Sequence, residues 1–384
     1  MALDVYAGGT LLTIATRPEE VKLDYVLAGG QTFRWNKTTT GHWIGVIQEN
    51  VWRLKQTDVS IECEILPLPS PEKDEEIIQS LLDAGQLKKK SMENNPHKAT
   101  IARKTLYSSI FRKYFGLNDS LVDCYKKWSR LDERFKTVAA SYPGIRVLNQ
   151  DFIENLFSFL CSSNNNVTRI QQMVGKMCSK FGRPLCVLDG MVYSCFPEVS
   201  KLAEESSEVE LRKLGFGYRA AFVQKSAQFI LQNSEWMDQV QKADYPTAKS
   251  LLMQLPGIGA KVADCICLMS LGHSGAVPVD THVFALTSEH YMPALRGMKS
   301  VTPAVYDTIG DFYRKKFGDK AGWAHSVLFT AHLAKFRNKV ESVPEYSTSE
   351  KSDKKIIKPA PKTAEPQAKK KKPTVPTPTA PLVK

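Results

Sequence analysis

The chain has 384 residues, 42% of them hydrophobic, which is enough for more than one domain with a sizeable core and excludes disorder throughout. Its net charge of +12 and pI near 9.2 point to a polyanionic partner, while saying nothing alone about fold or chemistry. Eight scattered cysteines, with no C-x-x-C and no Cys/His cluster at zinc-finger spacing, predict reduced thiols, no metal site and an intracellular protein. No apolar run is long enough to span a bilayer, and MALDVYAGGTLL has neither the charged start of a secretory signal nor the Arg-rich character of a typical mitochondrial presequence. No membrane association is expected; an organellar address is left open.

In chain order, residues 1 to 66 carry short alternating runs: TLLTIAT (10–16), then HWIGVI (42–47) and VWRLKQT (51–57) around the polar turn Gln48-Glu49-Asn50, then SIECEIL (60–66). Such runs predict an antiparallel sheet with one buried face. From Pro67 to about Arg103 charge and proline dominate, which predicts a mobile insertion around one short helix, EIIQSLLDAG. From about 105 to 340 apolar residues recur at three- and four-residue steps, predicting helices over 151–163, 167–182, 210–233, 248–255, 260–272 and 322–336. Gly182 and Gly272 suit helix C-caps, and Thr247 is a weak start signal after Pro246. Residues 345–384 hold ten Lys against four acids, seven Pro and one aromatic, so a disordered basic tail is expected. Its run Lys369 to Lys372 suits a nuclear import signal, a phosphate-binding arm or a plain solvated tail.

The stretch LPGIG lies between two amphipathic runs, SLLMQ and AKVADCICLM, the pattern of a helix-hairpin-helix. Gly257 and Gly259 permit a tight turn whose N–H groups, with the positive end of the following helix, suit a DNA phosphate. Lys261 then admits two readings: a phosphate contact, or a nucleophile. An unperturbed lysine, pKa about 10.4, offers only about one neutral amine in a thousand near pH 7.4, so the second reading needs a sheltered pocket or a neighbouring cation. Cys265, one turn on, with Val262, Ile266 and Leu268, supplies part of an apolar wall. In AVPVDTHVF, Asp280 stands where a helix begins and reads singly as an N-cap. Paired with Lys261 it gains a second reading, because base excision needs a carboxylate to stabilise cationic character on the sugar.

LPGIGAKVADC followed by VPVDTH resembles the helix-hairpin-helix DNA glycosylase superfamily. GGQTFRW (29–35), CSSNNNVTRI (161–170), LGFGYRA (214–220) and AGWAHSVLF (321–329) narrow the resemblance to the eukaryotic 8-oxoguanine DNA glycosylases, in the right order over most of residues 20–340. The resemblance implies an α+β fold. An N-terminal antiparallel sheet domain over 1–128, with a charged flexible insertion near 68–103, precedes an all-α helix-hairpin-helix glycosylase domain over 129–344 and the tail over 345–384. It further implies a monomer that acts in the nucleus, with a mitochondrial site also open, on double-stranded DNA containing 8-oxoguanine, without cofactor or metal. The iron-sulfur branch of the superfamily is excluded, since no cysteine follows Cys267.

By the same resemblance, the target nucleotide is turned out of the helix. Asn164, Arg169 and Arg219 take the gap and bond the orphaned cytosine, while Tyr218 wedges into the stack. The Gly30 carbonyl accepts from N7–H of 8-oxoguanine, where guanine offers only an acceptor. Cys265 and Phe329 sandwich the ring, and His282 contacts a 5′ phosphate or the pocket. Lys261 forms a Schiff base at C1′, and Asp280 supports the charged sugar. Taken singly, these residues also read as a polar loop, phosphate contacts, a strand end, core packing and a structural histidine. His325 and His332 depart from the family, which has Gln and Asp there; this bears on lesion affinity and pH dependence. Two other functions stay open on the residues: a glycosylase for a different oxidised base, and a non-catalytic helix-hairpin-helix DNA-binding module.

Overall fold

The computed structural model describes residues 9–66, 70–92, 95–298 and 300–333. The tail expected over 345–384 lies outside the described residues.

The alternating runs form a five-stranded antiparallel sheet: β1 (Thr10–Ala15), β2 (Asn36–Lys37), β3 (Trp43–Ile47), β4 (Asn50–Gln56) and β5 (Ser60–Leu66), in the order β1-β5-β4-β3-β2. The β3–β4 register pairs Ile47 with Asn50, so the hairpin loop is Gln48-Glu49, with Gln48 at φ 56°. Positive φ at a loop position matches the right-handed twist of the two strands. One face of the sheet buries Trp35, Trp52, Leu54 and Ile61 against Phe111 and Phe115 of the helix Lys98–Tyr114 and its C-cap, with Leu148 closing the cluster. The expectation of one buried face holds only in part, because Ile44, Val46, Val51 and Leu66 on the other face are buried as well.

Three expectations need correction. The stretch 68–103 is largely helical where described: Pro71–Asp83, capped by Ser70, and Lys89–Met92 precede a helix that itself starts at Lys98. Its Glu and Lys residues are the solvent face of an amphipathic helix whose Ile77, Ile78 and Leu81 pack on Ala102. The short helix expected over EIIQSLLDAG is the C-terminal part of this one, which begins earlier, at Pro71. The boundary drawn at 128/129 falls inside the helix Leu121–Leu131, and the described residues, all within 9–333, belong to one compact unit. Finally, the helical half carries a two-stranded hairpin, β6 (Pro184–Leu188) and β7 (Met191–Ser194), whose Leu185, Cys186 and Tyr193 share a small core with Ile44 and Val51 of the sheet.

The helical periodicity is realised as Phe152–Leu160, Val167–Phe181, Tyr245–Leu252, Ala260–Met269 and Ala321–His332. The run expected over 210–233 is two helices, Ser207–Lys213 and Arg219–Gln232, because Gly215 and Gly217 between them adopt φ 94° and 59°. Asp244, rather than Thr247, starts the hairpin's first helix by accepting from the Thr247 amide at 3.1 Å. Gly182 is a C-cap, with extended backbone, whereas Gly272 lies past the end of its helix, which Ser270 caps.

Two polar ties set the loop Gly29–Trp35 against the helices. Arg34 pairs with Glu154 at 2.7 Å, with both side chains largely buried, and also donates to the Ser194 carbonyl. Gln31 donates to the Arg146 carbonyl at 2.7 Å and accepts from the Leu148 amide at 3.0 Å, while Gln150 donates to the Gln31 carbonyl at 2.9 Å. Backbone groups that would be orphaned in the interior are thereby satisfied, and the loop is held at a fixed height over the helix Phe152–Leu160.

Candidate active site

The hairpin turns at Gly257, whose φ of 85° is the left-handed region, and a Cβ there would stand 2.4 Å from the Phe222 ring. Gly259 is different. Its backbone is extended (φ −99°), any residue would adopt it, and a Cβ would meet open space. The tight turn therefore needs only one of the two glycines, and the second leaves the approach to the helix N-terminus uncovered. No side chain caps the helix Ala260–Met269. Its first amides and dipole end face outward for an anion.

Lys261 lies in the first turn of that helix. Its ammonium is 5.1 Å from the centre of the Phe159 ring and donates to Ser162 Oγ at 3.4 Å. Asp280 is the N-cap of the helix Thr281–His290, accepting from the amides of His282 and Val283 at 2.9 Å each. The cap reading of Asp280 is thus correct, and it does not compete with the second, because capping leaves the carboxylate half-exposed on the cavity wall.

Lys261, Asp280, Gly30, Cys265, His325 and Phe329 line one cavity of about 50 Å³. That volume holds one or two waters at about 30 Å³ each, so a purine enters only if side chains shift. Phe159, Gly29 and Leu268 complete the walls. Gly30 has φ 81°, and a Cβ on Gly29 would meet the Tyr25 carbonyl at 2.6 Å, so the first needs glycine for conformation and the second for space. Burial pushes the Cys265 thiol up to about 11, with the Lys261 charge beside it pulling the other way, so it stays a neutral, apolar wall.

His325 is 4% exposed, and neither ring nitrogen makes a hydrogen bond of ordinary geometry within the chain. Burial pushes its pKa down to about 4, against the weaker opposite pull of Asp280 and the Gly322 carbonyl. It is a neutral imidazole, one nitrogen a donor and the other an acceptor, stacked at 6.1 Å on Phe329. Phe329 is half-buried rather than core. The His282 ring lies 6.2 Å from Phe329 and 6.4 Å from the His332 ring, so His332 belongs to the rim.

The cavity shares Gly30, Phe159, Lys261, Asp280 and Phe329 with an open cleft of about 1070 Å³, whose other walls include Asn164, Gly259 and His282. Asn164 is exposed at φ 47° in the turn Ser162–Asn165, and Arg169 is exposed one turn into the next helix. Arg219 is not free: its guanidinium is 4% exposed and donates to the carbonyls of Ser163 and, at 3.1 Å, of Asn164. As built it braces the loop that presents Asn164. Tyr218 stacks over that guanidinium at 4.5 Å and remains 49% exposed. Arg169, Tyr218, Arg219 and Gly257 line neither cavity nor cleft.

Sequence reasoning missed Phe159 and Ser162. Phe159 lies in the helical run 151–163 and Ser162 in CSSNNNVTRI, yet only the tertiary fold brings them under Lys261, and no spacing signals that. Among the described residues no group of three or more His, Cys, Asp or Glu side chains is placed to hold a metal, and no helix is long and apolar enough to cross a membrane.

Residues 13–156 match the 8-oxoguanine DNA glycosylase N-terminal domain, and residues 157–299 match the HhH-GPD superfamily of base excision DNA repair proteins. The chain is 33% identical to the N-glycosylase/DNA lyase OGG1 of Arabidopsis thaliana over 320 residues, covering 82% of this chain and 78% of that one. It is 36% identical to the N-glycosylase/DNA lyase of Saccharomyces cerevisiae over 247 residues, 58% of this chain and 65% of that one. Among solved structures it is similar to the Clostridium acetobutylicum 8-oxoguanine glycosylase/lyase in complex with double-stranded DNA containing cytosine opposite to 8-oxoG. That match has 25% identity and a TM-score of 0.65, covering 88% of this chain and 100% of that chain. Together with the hairpin, the single lysine at its mouth and the capping aspartate on the same cavity, these matches assign the chain to the 8-oxoguanine DNA glycosylase family of the HhH-GPD superfamily.

Proposed function

We propose that the chain is a bifunctional DNA glycosylase and AP lyase that excises 8-oxoguanine opposite cytosine from duplex DNA in base excision repair. The observation that carries the reading is that Lys261 and Asp280 share one small cavity with Gly30, Cys265, His325 and Phe329. Lys261 also opens onto the cleft, so exposure does not decide against a phosphate contact; what favours the nucleophile is that its amine lies over the Phe159 ring and shares the small cavity with Asp280.

In this reading the duplex is gripped at the uncapped helix start near Gly259, and the damaged nucleotide turns out into the cavity. The neutral Lys261 amine bonds to C1′ as the N-glycosidic bond breaks and the base leaves with its electron pair. The ring opens to a Schiff base, loss of a C2′ proton follows, and the 3′ phosphate departs by β-elimination. Asp280 stabilises the cationic sugar, and its two cap bonds hold its position. Gly30, which lines the cavity, supports readout of N7–H by a backbone carbonyl. His325 supports contact with the base's polar edge through its two ring nitrogens. In this reading Asn164 and Arg169 take the orphaned cytosine and Tyr218 the stack, all three being exposed, and Arg219 joins them by releasing the Ser163 carbonyl. A monomer suffices, because every proposed reacting group comes from one chain. Lys369 to Lys372 beside Pro373 support a nuclear location.

The test is sodium borohydride trapping on an 8-oxoguanine:cytosine duplex. A covalent complex is expected with the native chain and none with Lys261→Gln. An undiminished complex in that variant removes Lys261 from the role, and salt-sensitive binding without cutting or lesion preference would leave a DNA-binding module instead.

A further inference from the structure

Lys261 and Asp280 come from different helices, and excision requires the amine and the carboxylate to keep their spacing while a base pushes into a cavity too small for it. One buried path joins them behind the cavity. Asp264, one turn beyond Lys261 on the same helix, is fully buried and lines neither cavity nor cleft. Its Oδ1 accepts from the Tyr245 hydroxyl at 2.7 Å, and its Oδ2 from Lys249 Nζ at 3.0 Å and the Tyr306 hydroxyl at 2.5 Å. Tyr306 comes from the helix Pro303–Phe317 and is 8% exposed. The same hydroxyl accepts from the amide of Val279 at 3.3 Å, the residue before Asp280.

A buried carboxylate costs several kcal/mol to desolvate, and apolar side chains of equal volume would often be as stable. Stability alone is therefore a weak reason for the group. Its geometry offers another. The Tyr306 hydroxyl spends its proton on the Lys261 helix and a lone pair on the Asp280 strand. Burial, then the Asp264 charge, hold its pKa above the ordinary phenol range, so the proton stays. Tyr245 binds the same carboxylate through its other oxygen and is less buried, and no hydrogen bond joins it to the Asp280 strand among the described residues, so it serves as the control for loss of a bond to Asp264 alone.

We propose that Tyr306 is a positioning residue: through Asp264 and Val279 it fixes the Asp280 carboxylate relative to the Lys261 amine. The proposal rests on those two groups acting as described above. Removing the hydroxyl frees the Val279 amide and lets the Asp280 strand drift, and displacements of about 1 Å cost up to about a hundredfold in rate.

The test is single-turnover excision from an 8-oxoguanine:cytosine duplex, normalised to folded protein, alongside duplex affinity. Tyr306→Phe keeps the ring and is expected to slow excision about tenfold or more, with affinity within about twofold. Tyr245→Phe is expected to lower thermal stability while leaving the rate near native. Asp264→Asn combined with Tyr306→Phe should lose no more rate than the worse single variant, and Asp264→Asn alone is judged by the same thresholds if Tyr306→Phe does not fold. A native rate in Tyr306→Phe, or equal slowing by Tyr245→Phe, overturns the proposal while the functional reading stands. A native chain that neither excises nor traps overturns both.

Discussion

Asp280, whose carboxylate caps its helix, lines one small cavity with Lys261, so structure and chemistry share one group. The two duties separate by substitution. Asparagine is as good an N-cap as aspartate but carries no charge. Asp280→Asn should keep thermal stability near native and lower excision by about a hundredfold, whereas Asp280→Ala should lose the rate and about 1 kcal/mol of stability as well. Single-turnover rates with thermal melts check this; equal rates in native and Asn forms would confine Asp280 to capping.

The hairpin glycines should respond oppositely. Gly257→Ala forces a Cβ at positive φ into the Phe222 ring and should cost about 1 to 3 kcal/mol. Gly259→Ala meets open space, so stability should move by less than about 0.5 kcal/mol, and duplex affinity should fall because a methyl group obstructs the phosphate approach. Urea unfolding and filter binding decide it. Unchanged affinity would move the phosphate elsewhere.

His325 gives a pH signature. Unfolded histidine takes up its proton as pH falls through about 6.5, whereas the buried ring resists until about 4. Between those values the unfolded chain holds more protons, so this contribution is complete above about pH 6.5 and is lost as pH drops toward 4, by up to about 3 kcal/mol. The stability difference between the native chain and His325→Gln should shift by that amount between pH 7 and 4.5 in urea titrations. A constant difference would mean that the folded ring titrates normally.

Arg34 and Glu154 make the buried pair that seats the Gly29–Trp35 loop. Burial pushes the Glu154 carboxyl above its usual range, with Arg34 opposing, so removing the arginine strands a carboxylate in the interior. Arg34→Met should destabilise by about 3 to 5 kcal/mol and slow excision more than it weakens duplex binding. The double variant Arg34→Met with Glu154→Leu should recover most of the stability; failure to recover would show that the Ser194 bond matters more.

Strands were legible because β5 alternates and a polar turn separates the apolar runs of β3 and β4, and helices because one stripe of each is apolar over several turns. The helix Pro71–Asp83 was legible over EIIQSLLD, where Ile77, Ile78 and Leu81 recur, but not over its first turn, which reads as proline and charge. The break at Gly215 and Gly217 was visible as two glycines, yet only their positive φ shows that the run must bend there.

Sequence by itself determined the chemistry on offer: an amine at the mouth of a glycine hairpin, a carboxylate at a helix start, and the residue types able to hold a purine and a cytosine. Local order fixes such things, since caps, turns and periodicity depend on neighbours within a few residues. Tertiary structure alone decided that Phe159 and Ser162 sit under Lys261, that Arg219 is engaged by the Ser163 loop, that His325 is buried against Phe329, and that Tyr306 links Asp264 to Val279. These are contacts between segments far apart in the chain, set by how helices cross over one core, and no periodicity encodes a crossing.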